Sequence, residues 1–276
     1  MQLKSEYRSV CRVRRVKLIM EWWESNYDSL DYIKTYKKNH DTKTYNEINF
    51  ILRNISLRRE DIIVDLCCGY GRHAIEFALK GFRTIGIDLS EPLLEYAKSS
   101  ASARNAKVEW IRSDYRNVRN IHANLVVNLF NSFGYMNNDE ENYKLFDIVN
   151  GILAEDGRFF MDVFHRERCV NNLRPQEWED NDQNIILREQ DYEETTMRLV
   201  RKTTIYDKTH SFTKSQRVSS IRTYSIDEIE LAMNKRNLKI EEVFGDYLGS
   251  EFIPNESKRL CIIAKKGSQK TFKNKN

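Results

Sequence analysis

The stretch Val64-Asp65-Leu66-Cys67-Cys68-Gly69-Tyr70-Gly71-Arg72-His73-Ala74 decides the fold. It continues from Asp61-Ile62-Ile63, so residues 61–66 form a short, apolar, β-branched run, the pattern of a strand buried on both faces. Gly69 and Gly71 then make a tight turn. Residues 72–80 read as a helix, with Gly81 as its C-terminal stop. Glycine lets backbone approach a ligand where a Cβ would clash. The free N–H groups at the start of the following helix offer that ligand a positive end.

The same alternation continues outward. Arg83-Thr84-Ile85-Gly86-Ile87-Asp88 predicts a second strand, and Ser90 caps a helix over 91–103 with Pro92 in its first turn. Residues 108–111 and 125–130 predict a third and a fourth strand. Asn138 with Glu141 three residues on resembles a capping box that opens a helix to about Leu153, and residues 158–164 predict a fifth strand. Strand and helix in alternation from 61 to 164 imply an α/β fold: a Rossmann-like, doubly wound, mostly parallel sheet with helices on both faces. Before it, spacings of three and four among Trp22, Trp23, Tyr27, Leu30, Ile33, Tyr36, Tyr45, Ile48, Ile51 and Leu52 predict two helices, broken at Asn39-His40-Asp41. After it, 184–189, 197–206 and 210–221 predict strands with no helix between them, a small inserted antiparallel β lid. Ser225 and Glu228 form a second capping box, opening a helix over 226–236, and 238–246 with 259–264 read as a closing strand pair.

Gly69-x-Gly71-x-x-Ala74 also fits a dinucleotide fingerprint. Asp88 ends the next strand 17 residues after Gly71, where a carboxylate can accept hydrogen bonds from ribose hydroxyls. Asp65, four residues before Gly69, discriminates between cofactors. With it the stretch resembles motif I of the class I S-adenosylmethionine-dependent methyltransferases, a D-x-x-x-G-x-G turn that holds the methionine half of the cofactor. Gly86-Ile87-Asp88-Leu89-Ser90 looks like the second motif, whose acid holds the ribose. Ser113-Asp114-Tyr115 resembles the acidic loop beside the adenine, and residues 126–135 sit where the motif lining the methyl-transfer pocket falls. The resemblance covers about 45–170 and, more loosely, 220–265. It departs at Cys67, where the family usually has glycine. Gly-Arg-His after the turn, Asn128 to Tyr135 and Val243 to Tyr247 look like the small-molecule N- or O-methyltransferases that carry an antiparallel insertion.

The resemblance implies S-adenosylmethionine as cofactor, held by Asp65, Cys67, Gly69, Gly71, Asp88, Leu89, Asp114, Tyr115, Asn128 and Phe130, with in-line methyl transfer to an N or O nucleophile of a small molecule. A sulfonium is already activated, so the protein mainly positions and desolvates the reactants. A general base is optional, and His165 and Tyr135 are the candidates for a catalytic role. Trp22, Trp23, Tyr27, Tyr32 and Tyr36 supply an aromatic cover. The expected division is 1–44 as N-terminal tail and helical lid, 45–170 with 222–266 as the Rossmann-like methyltransferase domain, 171–221 as the insertion, and 267–276 as a basic tail.

Composition bounds the alternatives. Of 276 residues 40% are hydrophobic and 31% charged, which excludes a wholly disordered chain, and 45 Lys+Arg against 41 Asp+Glu give no strong pull toward nucleic acid. The five cysteines form no disulfide framework, and no run of 18 apolar residues exists, so a cytoplasmic protein without a membrane partner is expected. No metal site is expected, because no His or Cys lies at ligand spacing around Cys67 and Cys68. A short-chain NAD oxidoreductase needs Tyr-x-x-x-Lys, and none of the 14 tyrosines has Lys four residues on. The N-P-P-Y motif of nucleic-acid base methylation is absent, leaving RNA or protein as an alternative acceptor. A phosphate-binding G-x-x-x-x-G-K is also absent.

Overall fold

The apolar runs become strands because both of their faces are buried. In the computed structural model, which describes residues 22–27, 31–210 and 213–267, β1 (Ile62–Leu66), β2 (Arg83–Asp88), β3 (Val108–Arg112), β4 (Ala123–Asn128) and β5 (Leu153–Val163) are parallel. β11 (Leu260–Lys266) joins β5 antiparallel, and β10 (Leu238–Phe244) pairs with β11 in the same sense. The sheet order is β10-β11-β5-β4-β1-β2-β3. The order reverses between β1 and β4, and a ligand crevice belongs at the carboxyl ends of the strands there.

Successive side chains point to opposite faces, and two clusters follow that period. Val64, Leu66, Val126, Phe159 and Met161 face one side, under α5 (Asp139–Ile152) and α7 (Ile226–Asn234), which contribute Phe146, Val149, Ile229 and Met233. Ile63, Leu125, Val127 and Phe160 face the other, under Ile48, Phe50 and Ile51 of α2 (Asp31–Asn54) and Phe77 of α3 (Arg72–Leu79). The caps sit where the sequence places them. Ser90 Oγ accepts from Leu93 N at the start of α4 (Glu91–Ala103), Asn138 Oδ1 accepts from Glu141 N, and Ser225 and Glu228 close a reciprocal capping box.

A second, antiparallel sheet of four strands lies between α6 (Arg166–Asn171) and α7: β6 (Gln176–Asp180), β7 (Asn184–Glu193), β8 (Arg198–Asp207) and β9 (Thr213–Arg222), in that order. Three of these strands match the expected stretches; β6 and α6 escaped, since Gln176-Glu177-Trp178-Glu179-Asp180 carries a single apolar residue. Ahead of the main sheet lie α1 (Trp22–Tyr27) and α2. The expected break at Asn39-His40-Asp41 is absent: α2 runs unbroken over 24 residues, through the expected boundary at 44/45. Two polar residues and a histidine lower helix propensity without stopping a helix whose far end is packed against the sheet. Residues 1–21 of the expected N-terminal tail and lid, and all but Gly267 of the expected basic tail at 267–276, lie outside the described residues, as does the side chain of Tyr36. No helix among the described residues is long and apolar enough to cross a membrane.

Two glycines are explained by one indole. A Cβ on Gly71 or on Gly86 would collide with the ring of Trp110, and Gly71 also abuts Ala97. Trp110 therefore fills the space between the glycine turn and β2. Gly86→Ala should lower stability by about 1–3 kcal/mol through overpacking. In a Trp110→Leu background the same change should cost less than about 0.5 kcal/mol, read by urea unfolding. Equal losses in both backgrounds would refute the packing account.

Candidate active site

The turn after β1 bends through three left-handed residues: Cys67 (φ 61°), Gly69 (φ 55°) and Gly71 (φ 76°). Asp88, at the end of β2, holds it. Its Oδ2 accepts from Gly69 N at 2.7 Å and its Oδ1 from Ser90 N at 2.9 Å. Burial pushes the Asp88 carboxyl above its ordinary pKa, against these hydrogen bonds. A Cβ on Gly69 would meet nothing within 4 Å.

That open side faces a cavity of about 510 Å³ at the switch point. Asp65, Cys67, Gly69, Asp88, Leu89, Asp114, Tyr115, Phe130 and Tyr135 all line it. Asp65 is 1% exposed, and its Oδ2 has no hydrogen-bond partner among the described residues. Burial raises its pKa to about 7, with Asp88 adding to the rise and Arg72 opposing it. A buried, unsatisfied carboxylate oxygen costs of the order of 1–3 kcal/mol and normally marks a missing partner. Asp114 caps the short 3₁₀ turn Tyr115–Asn117, and Arg116 grips both of its oxygens through Nε and Nη2. Burial alone would raise the Asp114 pKa; the Arg116 hydrogen bonds hold it below the usual range.

Three expected site residues lie elsewhere. Gly71 does not line the cavity: its missing Cβ makes room for Trp110. Asn128 is fully buried behind the cavity wall, where its Nδ2 donates to Leu66 O at 3.1 Å and ties β4 to β1. His165 is fully buried outside the cavity, capping α6. Its Nε2 donates to Ser257 O at 2.9 Å, and Nδ1 faces Glu167. His165, expected as a candidate general base, is thus placed as the helix cap after β5 and does not line the cavity. Tyr135 does reach the cavity, but burial lifts its pKa well above the ordinary phenol value, so its hydroxyl stays protonated at neutral pH. Cys67 likewise remains a thiol, its pKa raised by burial.

The aromatic cover is built by α1. Trp22, Trp23 and Tyr27 pack on Tyr135, with Tyr27 parallel to it at 6.3 Å and the two hydroxyls 3.0 Å apart. Tyr32 stands edge-on to Tyr27 at 5.1 Å. The helix is fastened on both sides: Ser90 Oγ donates to Tyr27 O at 2.6 Å, and Asn26 Nδ2 donates to Val218 O of β9 at 2.7 Å. α1 thus bridges the two sheets across the cavity mouth.

Sequence reading missed Glu47, Asp162 and Arg259. Arg72 is 8% exposed; it pairs with Glu47 and donates to Thr44 Oγ1 at 2.8 Å. Burial would raise the Glu47 pKa, but His73 and Arg72 hold it down to about 2. Burial and the Arg72 charge lower His73 to about 4, so the neutral His73 donates through Nε2 to Glu47 at 2.9 Å. Glu47, Asp162 and Arg259 are each polar and isolated in sequence, so no local pattern points to them.

A seven-stranded sheet of this order, with an acid-lined cavity over a glycine turn at its switch point, defines a Rossmann-like α/β domain. The comparisons carry this further. Residues 63–157 match a family model described as a methyltransferase domain. A Geobacillus sp. (strain WCH70) protein, provisionally named a methyltransferase, is 24% identical over 209 residues, 74% of this chain and 84% of its own. The fold is similar to that of an S-adenosylmethionine-dependent methyltransferase from Clostridium acetobutylicum, with a TM-score of 0.78 and 20% identity over 86% of this chain and 98% of that one. It is also similar to the sugar N-methyltransferase KedS8 from Streptoalloteichus, with a TM-score of 0.65 and 13% identity over 85% and 92% of the chains. Residues 63–157 thus match a methyltransferase domain, and the fold is shared with S-adenosylmethionine-dependent methyltransferases of known structure.

The buried Asp65 carboxyl gives a pH test. Its folded pKa lies above the unfolded value, so its contribution is fully present below pH 4 and is lost as pH rises through about 7. Asp65→Asn should therefore melt at least about 3 °C above the unaltered protein at pH 8, with the gap closing toward pH 5. A gap that widened on acidification would show that Asp65 is ionised and stabilised throughout.

Proposed function

We propose that the protein moves a methyl group from S-adenosylmethionine to an N or O nucleophile of a small molecule. The observation that carries this reading is a continuous cavity of about 510 Å³ that runs from the open face of Gly69 to the aromatic cover. A cofactor and a small acceptor can share such a space, and the cover from α1 favours an acceptor that fits beneath it. The open cradle at Gly69 and the unpartnered oxygen of Asp65 fit the cofactor: Asp65, Cys67 and Gly69 would hold its methionine half, Asp88 and Leu89 its ribose, Asp114 and Tyr115 its adenine, with Phe130 along the wall. Asp88 keeps acceptor capacity, since a carboxylate has about four lone-pair sites and backbone N–H groups of Gly69, Leu89 and Ser90 take three of them.

When bound, the sulfonium supplies an activated methyl group. The chain's own residues then have three tasks. Asp65 and the turn bind; Phe130, Tyr27 and Tyr135 orient; the α1 aromatics exclude water, which strengthens the electrostatic contacts inside. Tyr135 is held protonated, so its phenol is not poised as an ionised base. The acceptor is thus proposed to be nucleophilic on its own or to lose its proton to solvent. Residues 171–221 are proposed to act, with α1, as the lid that selects it. The neighbouring sugar N-methyltransferase supports an amine among the acceptors to be tried first. Free thiols at Cys67, Cys68, Cys169 and Cys261 favour a reducing compartment, and the cytoplasm is the proposed location.

Thermal melting tests the cofactor. S-adenosylmethionine or its demethylated product, at about 100 times its Kd, should stabilise the protein by about 2.7 kcal/mol, and NAD should not. Asp88→Asn should stay folded and lose most of that shift; a full shift would mean the site is misplaced. For the acceptor, release of demethylated cofactor should be driven by small amines or hydroxyl compounds. Turnover with RNA or a protein substrate alone would favour the alternative.

A further inference from the structure

Phe130 and Asn131 are consecutive left-handed residues without being glycine, at φ 62° and 63°. Such a pair persists only where its surroundings hold it. Here the holding group is Asp162, on β5, which is 1% exposed. Its backbone oxygen accepts from Asn131 N at 3.1 Å and its Oδ2 from Phe130 N at 3.3 Å. The same Oδ2 accepts from the Tyr247 hydroxyl at 2.8 Å, and Oδ1 accepts from Arg259 Nε at 2.5 Å. Asn131 Oδ1 in turn accepts from Phe164 N.

The ring of Phe130 is held as well. The Arg259 guanidinium lies 5.5 Å from its centroid and the Arg72 guanidinium 5.3 Å. Each cation has its own buried carboxylate, Asp162 for Arg259 and Glu47 for Arg72. The sequence carboxylate, guanidinium, ring, guanidinium, carboxylate therefore crosses from α2 to β5 by way of Phe130. It closes on itself, because Tyr247 packs on Phe50 of α2 at 5.7 Å. Buried charges of this kind cost desolvation, and a fold can do without them where apolar packing would serve. Their concentration around one strained residue of the cavity wall needs a separate reason.

We propose that Asp162 and Arg259 are positioning residues for methyl transfer: with Arg72 and Glu47 they clamp Phe130 as the wall beside the sulfonium end of the cofactor. The proposal rests on the cofactor reading above. Phe130 follows β4, whereas Asp88 ends β2 and Asp114 follows β3. With β1 between β4 and β2, the clamp stands roughly 10 Å from the ribose acid, since neighbouring strands are about 4.8 Å apart. A loosened clamp should thus spare the nucleoside end and disturb the methionine end.

The test is calorimetric binding of three probes, S-adenosylmethionine, S-adenosylhomocysteine and adenosine. Asp162→Asn should weaken the first two by about tenfold relative to adenosine, a coupling within the range found for contacting residues. Phe130→Leu should give a similar loss, and the double variant should be no more than about threefold worse than either single variant. Tyr247→Phe removes one hydrogen bond to Asp162 while leaving its ion pair; it should weaken the same two probes by about threefold, and it carries the cycle if Asp162→Asn does not fold. Parallel loss of all three probes, or losses that multiply in the double variant, would overturn the clamp and leave the cofactor assignment standing. An unaltered protein that bound neither sulfur compound would overturn the cofactor assignment, and the clamp with it.

Discussion

The site depends on two hydrogen bonds to one carboxylate. Asp88 fixes Gly69 N at 2.7 Å and Ser90 N at 2.9 Å, so the turn after β1 and the start of α4 are set from the end of β2. Parallel strands place their carboxyl ends side by side, and the order reversal leaves a gap there that the crossing helices do not fill. The carboxylate turns that gap into a cavity of defined shape. Trp110 props the same turn from behind, against Gly71 and Gly86. One glycine, Gly69, is left to face the cavity, which is the division of labour that a G-x-G pattern conceals.

Charge is distributed in the interior in a way that separates scaffolding from binding. Glu47, Arg72 and His73 satisfy one another, as do Asp162, Arg259 and Tyr247. Asp114 is taken by Arg116, and Arg222 joins Asp139 and Glu228 where β9 returns to the main sheet. Asp65 departs from this pattern: burial raises its pKa to about 7, and one of its oxygens is unsatisfied. A fold that otherwise pairs its buried charges carries this one at a cost, and a binding site is the setting in which such a cost is retained.

Much of this was legible before any coordinates. β1 to β5, the caps at Ser90, Asn138 and Ser225, and the meander after the fifth strand all follow from local patterns: apolar runs for strands buried on both faces, capping residues at fixed offsets, alternation for an antiparallel sheet. Elements whose local signal is weak were missed. β6 has one apolar residue, held by pairing with β7, and α2 continues through Asn39-His40-Asp41 because its later turns are packed on the sheet. The fourth strand ends at Asn128, and the apolar Leu129-Phe130 that seemed to prolong it leaves the ladder as Phe130 turns left-handed. His165 misled for a similar reason: a histidine after a strand looks catalytic, and its cap to α6 and its bond to Ser257, 92 residues on, exist only in three dimensions.

The sequence by itself determined the class of fold, the glycine turn and the acids near the ends of β1, β2 and β3, because those depend on residue type and on spacing within one strand–turn–helix unit. Tertiary structure alone decided which glycine faces the cavity, which acids are already partnered, and that α1 closes the mouth. It also decided that Glu47, Arg72, Phe130, Arg259 and Asp162 meet. Each of those outcomes depends on contacts between residues far apart in the chain, and their distances are fixed only when the sheet is assembled and its two faces are covered.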